Sequence, residues 1–361
     1  KKFGVRTGEP LAQARRKCPQ LVVVPPDFPL YVRFSQNFLQ ILRRYAPVVE
    51  PVSIDEAFCD MTGTDLLYGP PIPFAHRLKD IIRKELGFTV NVGISSNKLL
   101  AKMASDFEKP DKVHTLFPEE TQSKMWPLPV ENLFLVGNSA ARKLRSLGIR
   151  TIGDLARSDP ELLQGHLKKH GETIWRYANG QGDTVVRAEP EEAKCCGNST
   201  TLSHDVTDAG EAKQILLALT ETVAARLRMD GKQASRISVG IRSVDFVNVS
   251  HQTTLDSPTN VTEEIYRTVC TLFSQLWDHS PIRLLSVQTS QLDGGELRQL
   301  NLFEDPVKRE KLEKLDTAVD AIRSRFGENA IKRACFLDGS PHMTGGLGAA
   351  KRRQESKRPP E

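Results

Sequence analysis

The chain has 361 residues, 39% hydrophobic and 26% charged, with 50 Lys+Arg against 45 Asp+Glu, the balance of a globular protein with core enough for two or three domains of about 100–200 residues. No stretch approaches about 18 uncharged apolar residues, which excludes a helical membrane span. The six cysteines contain no CxxC pair and no regular spacing, which argues against a zinc ribbon or disulfide scaffold and fits a reducing compartment, and the opening KKFGVRTGEP has no apolar core and is not a secretory signal.

Residues 9–18 predict a helix, and LVVVP at 21–25 predicts a buried strand ended by Pro25 and Pro26. Tyr31, Phe34, Phe38, Ile41, Leu42 and Tyr45 recur at helical spacing and predict one amphipathic helix closed near Pro47. VVEPVSIDEAFCDMTG reads as strand, turn, strand; 74–86 as a helix; 89–95 as a strand; 97–107 as a helix stopped by Pro110. This order predicts an α+β layer with helices on one face. From 119 to 182 the pattern is helical and broken by glycines, a small all-α domain. Residues 183–193 are a polar linker with Pro190. Residues 196–292 predict two helices, 209–229 and 262–277, on one face of a four-stranded sheet. Residues 306–326 predict a charged helix, and the last 23 residues a basic, disordered tail.

Charge varies along the chain. Residues 1–46 carry nine Lys/Arg against two Asp/Glu, and 47–116 carry eight against ten. A basic front beside an acidic centre suits a polyanion next to bound cations, and equally suits ordinary patchiness.

Four constellations bear on chemistry. Asp55 and Glu56 are adjacent, so both can face one site only at a strand end or tight turn. There they fit a divalent-metal site or a plain acidic hairpin. Lys98 and Lys102 follow a strand on a helix with Ser95, Ser96 and Asn97 as cap candidates, and Lys109 stands before Pro110 where the helix must end; they suit nucleotide phosphates, or are solvated surface lysines. LFLVGNSAARKLRSLGIRTIGDLA at 133–156 has the layout of a helix–hairpin–helix. Turns at Gly137 and Gly148, with Arg142 and Lys143 alongside, can bind DNA phosphates without reading sequence, unless the unit is only a packing hairpin. Finally, RQLNLFED at 298–305 places apolar residues where a linker should be exposed, as a docking peptide does unless they pack on their own domain.

In this order the four features resemble the Y-family translesion DNA polymerases, their bacterial members above all, from residue 1 to about 335. KKFGVRTGEPLAQARRKCP is similar to the family's finger segment, SIDEAF and GISSNKLLAKMASDFEKP to its palm motifs, GNSTTLSHDVTD and IRLLSV to its little finger, and RQLNLF to its clamp peptide. The resemblance implies a multi-domain α+β fold: partial fingers at 1–27, palm at 28–117, helix–hairpin–helix thumb at 118–183, linker at 184–193 and little finger at 194–293. A clamp-binding linker at 294–305, a helical segment at 306–338 and the basic tail at 339–361 follow.

It also implies low-fidelity, template-directed DNA synthesis by attack of a primer 3′-hydroxyl on a deoxynucleoside triphosphate, with two Mg²⁺ ions, or Mn²⁺ in their place. Asp55 is then the metal-binding aspartate, Glu56 its catalytic and metal-binding neighbour, and Lys109 the triphosphate lysine, with Lys1 near the triphosphate. Arg236 and Arg242 hold duplex phosphates, and Gln299, Leu300, Leu302 and Phe303 bind the β subunit of the bacterial sliding clamp. The expected partners are primer–template DNA, deoxynucleoside triphosphates and that clamp, with no membrane, for a monomer in the bacterial cytoplasm at the nucleoid.

The family's chain has a further strand with a second metal-binding aspartate, and a Y-x-A-R run that grips the triphosphate. Neither stands in this sequence, so the chain is expected to be truncated before Lys1, to bind metal poorly and to expose a sheet edge. The thumb reads Leu135-Val136-Gly137 where the family often has Gly-x-Gly. The alternative from another class is a non-catalytic DNA- and clamp-binding module.

Overall fold

The computed structural model describes residues 2–189, 192–294, 306–327 and 329–337. The chain divides into two units, Lys1–Pro190 and Glu191–Glu361. Lys1, the expected clamp-binding residues Gln299, Leu300, Leu302 and Phe303, and the tail at 339–361 lie outside the described residues.

In the first unit α1 (Leu11–Lys17) is followed by ten residues without secondary structure. The strand expected at 21–25 is not there, and Val22 and Val24 are 81% and 74% exposed. β-branched residues favour a strand, but a strand also needs a neighbour for its backbone groups, and no described strand pairs with this stretch. α2 (Phe28–Tyr45) begins ahead of the apolar pattern because Asp27 accepts the Leu30 N–H at 3.0 Å and Pro29 sits in the first turn. β1 (Val48–Pro51) and β2 (Ala57–Asp60) pair antiparallel, Val48 opposite Asp60 and Pro51 opposite Ala57. After the short α3 (Asp65–Tyr68) comes α4 (Pro71–Leu86), closed by Gly87 in the left-handed region at φ 77°. Phe38, Ile41 and Leu42 of α2, Val49 of β1, and Phe74, Leu78 and Ile82 of α4 make one core. Burying a side chain of this size contributes about 1.5–3 kcal/mol.

β3 (Val92–Ile94) leads into α5 (Lys98–Asp106), and β4 (Val113–Thr115) returns parallel to β3. The β1–β2 and β3–β4 pairs are separate sheets, and a cleft of about 1460 Å³ is lined by residues of β1, β2 and β3. Beyond β4 come α6 (Asn138–Ser146), α7 (Ile152–Ala156), α8 (Pro160–Leu167) and α9 (Lys169–Ala178), an all-α module as expected. Leu144, Ile152, Leu155, Leu163 and Ile174 are its buried centre, and Leu100 and Met103 of α5 belong to the same core. α5 therefore serves both the cleft and the helical module.

The second unit runs β5 (Cys195–Val206), α10 (Ala209–Met229), β6 (Gln233–Ser243), β7 (Asn248–Thr259), α11 (Thr262–Leu276), β8 (Ile282–Asp293) and α12 (Pro306–Phe326). Its four strands are antiparallel in the order β5-β8-β6-β7. Ile237, Val239 and Ile241 of β6 alternate with Arg236, Ser238 and Arg242; the first set is buried with α10 and α11, so the second set lies on the opposite, open face. α12 is held to this unit by ion pairs: Arg228 to Asp316 at 3.0 Å and to Asp320 at 2.6 Å, and Arg323 to Glu221 at 3.2 Å. Asp316 also accepts the Thr262 N–H at 2.8 Å, capping α11 from another segment. Among the described residues no helix is long and apolar enough to cross a membrane.

Candidate active site

The β1–β2 hairpin stops pairing at Pro51 and Ala57, which leaves 52–56 as its tip. The Val52 and Ser53 N–H groups both donate to the Glu56 carbonyl, at 2.9 and 3.2 Å, so the turn is closed by backbone bonds. That closure lets adjacent Asp55 and Glu56 leave one tip into one cleft, which a flat strand forbids. The Ser53 hydroxyl donates to Asp55 Oδ1 at 2.7 Å and fixes its carboxylate.

Lys102 Nζ lies 2.5 Å from Glu56 Oε1 and 3.4 Å from Asp106 Oδ2, and Lys109 Nζ lies 2.6 Å from Asp106 Oδ1. Burial presses the Lys102 ammonium toward its neutral form, and Glu56 and Asp106 together more than reverse this, leaving its pKa above the ordinary lysine value. Asp55, Glu56 and Lys109 line the same cleft, and Lys102 and Asp106 join Glu56 to Lys109. Of the cap candidates it is Asn97 that accepts the Leu100 N–H, at 2.9 Å. Asp106 was missed as a site residue, though its place between Lys102 and Lys109 at helical spacing is legible.

The helix–hairpin–helix is shorter than expected. Just before Gly137 the 3₁₀ turn Val130–Asn132 stands in place of an α-helix. Pro127 and Pro129 remove backbone donors there and Leu135 takes φ 70°, which ends regular structure. Gly137 is the N-cap of α6, with no side chain capping the first N–H groups; Arg142 and Lys143 are exposed on α6, and Gly148 makes the turn to α7 at φ 83°. Arg236 and Arg242 lie in the second unit, where they bond to Thr254 at 3.4 Å and Asn248 at 2.8 Å. Their neighbours on the open face include Ser238, Gln252, Ser286 and Gln288, hydroxyls and amides without a carboxylate among them.

Residues 1–106 match the model of the impB/mucB/samB family, and residues 193–302 match that of its C-terminal domain. A protein of Clostridium acetobutylicum named DNA polymerase IV is 45% identical over 94% of this chain and 85% of its own length. The chain belongs to the Y family of DNA polymerases. Another relative, DNA polymerase IV 2 of Bacillus subtilis, is 38% identical over 93% of this chain and 83% of its own length. Among solved structures a Y-family DNA polymerase chimera, Dbh-Dpo4(243-245)-Dbh, matches with a TM-score of 0.67 at 24% identity, covering 81% of this chain and 84% of the other. At that identity the match speaks for the fold: a Y-family polymerase fold, mixed α and β with a four-stranded antiparallel sheet. The family models stop short of α12, which lies outside both.

Proposed function

We propose that this chain is a DNA-directed DNA polymerase that extends a primer 3′-hydroxyl on damaged templates with low fidelity. The observation that carries this is the 45% identity over 94% of the chain to a protein named DNA polymerase IV. Being polymerases by name, the relatives give the non-catalytic reading no support.

The cleft suits the chemistry. Asp55 and Glu56 offer hard carboxylate oxygens, the donors that Mg²⁺ and Mn²⁺ take, and Mg²⁺ sites commonly use one or two carboxylates with substrate phosphates and water. Among the described residues no three metal-ligating side chains gather, so these two acids supply only part of a coordination shell. Such ions, when bound, make a primer hydroxyl more acidic and neutralise charge on the departing pyrophosphate. Lys102 keeps Glu56 at the cleft wall, and Lys109 exchanges Asp106 for the phosphates of an incoming deoxynucleoside triphosphate. In this reading residues 28–117 are the palm, 118–183 the thumb and 194–293 the little finger. Duplex phosphates rest on the α6 N-terminus at Gly137, on Arg142, Lys143 and the Gly148 turn, and on Arg236 and Arg242. Gln299, Leu300, Leu302 and Phe303 dock on the bacterial sliding clamp. The protein then works as a monomer in the cytoplasm, at the nucleoid.

Primer extension on an undamaged template with Mg²⁺ tests the proposal, with Asp55→Ala beside the parent chain. Extension by the parent and none by the variant, with DNA binding equal in both, supports it. Extension by Asp55→Ala removes that residue from the site, and DNA binding without extension by the parent points to a binding module.

A further inference from the structure

Residues 183–187, placed in the linker by composition, are bound into the cleft wall by one lysine. Lys98 opens α5, and its own N–H donates to the Asp183 carbonyl at 2.9 Å. Its ammonium, on a side chain 13% exposed, lies 3.1 Å from Asp183 Oδ2 and 3.1 Å from Glu50 Oε2. Glu50 in turn accepts the Arg187 N–H at 2.8 Å, and the Arg187 guanidinium returns to Asp183 at 2.7 Å. Two cations and two carboxylates from β1, α5 and residues 183–187 thus satisfy one another. The approach is close: Asn97 donates to the Gly180 carbonyl at 3.0 Å, and a Cβ on Gly182 would come 2.5 Å from Leu99 Cβ. Asp183, Thr184 and Val186 line the cleft with Asp55 and Lys109. The Val185 amide, Arg187 and Lys98 hold the Asp183 carboxyl well below the usual range, so it stays ionised at neutral pH.

We propose that Lys98 is a positioning residue, which fixes residues 183–187 as a wall of the candidate nucleotide cleft. The bonding stands by itself, while its consequence for catalysis rests on the polymerase reading.

Hydrogen exchange on the full chain tests it, with Lys98→Met, Lys98→Arg and, from another element, Glu50→Ala. We expect amides at 183–187 to exchange at least about tenfold faster in Lys98→Met and Glu50→Ala, with α6–α9 unchanged and Lys98→Arg restoring most of the protection. In primer extension, Lys98→Met should raise the nucleotide KM about threefold with kcat near the parent's. Unchanged exchange at 183–187 in both Lys98→Met and Glu50→Ala overturns the proposal. If Lys98→Met loosens the whole unit, Glu50→Ala decides, and a general loosening there too overturns it. Faster local exchange in a chain that never extends a primer keeps Lys98 in its place and removes the polymerase reading instead.

Discussion

Gly93 sits where β3 meets α5, and a Cβ there would fall 1.9 Å from the Ala101 carbonyl oxygen and 2.6 Å from the Ser105 nitrogen. Both obstacles are backbone, so neither can swing aside. Gly93→Ala should therefore push α5 off β3 and cost about 1–3 kcal/mol, read as a lower urea midpoint for the first unit. At this scale the sequence was only partly informative. Lys102 and Asp106 stand four apart on α5 and Lys109 three residues beyond its end, and that spacing brings them together on paper. Glu50 and Arg187 stand 137 residues apart, and Lys98 and Glu50 stand 48 apart; only the folded chain makes them neighbours. Nor could composition tell a solvated linker from one docked against a helix N-terminus, since ionised groups that pair and ionised groups in water use the same residue types.

Elements were more legible than contacts. α2, α4 and α10 follow apolar periodicity, and Asp27 and Asp208 cap α2 and α10, signals carried within each segment. The run at 21–25 misled because strand formation depends on a partner that the segment does not contain. The 3₁₀ turn before Gly137 misled because prolines and one left-handed leucine overrode an apolar pattern. α12 shows what a correctly placed helix still leaves out: the residues it buries are charged, with Asp316 8% and Arg309 4% exposed. Asp316→Ala should remove both the Arg228 pair and the cap on Thr262, costing about 2 kcal/mol locally. Exchange at 262–266 and 306–327 should then rise roughly thirtyfold while β6 and β8 stay protected.

For the molecule as a whole, the open sheet face and the segment after β8 carry the predictions. Arg236 and Arg242 project from one strand among hydroxyls and amides. Changing both to Ala should weaken DNA binding evenly across sequences and lower the salt slope by about 2, in binding titrations at several ionic strengths. Leu302→Ala with Phe303→Ala should leave intrinsic primer extension intact and abolish its stimulation by the sliding clamp; stimulation that survives would show that these residues pack within the chain. The strand order also has a consequence for synthesis on the ribosome. β5 is the first strand of its sheet to be made, yet among the described residues its sole neighbour is β8, the last. At about 5–20 residues per second, the stretch from 206 to 282 takes about 4–15 s to emerge, and throughout that interval β5 must wait without its edge covered. The β6–β7 hairpin can form meanwhile, which makes it the natural nucleus of the unit and makes β5 the segment most in need of a chaperone.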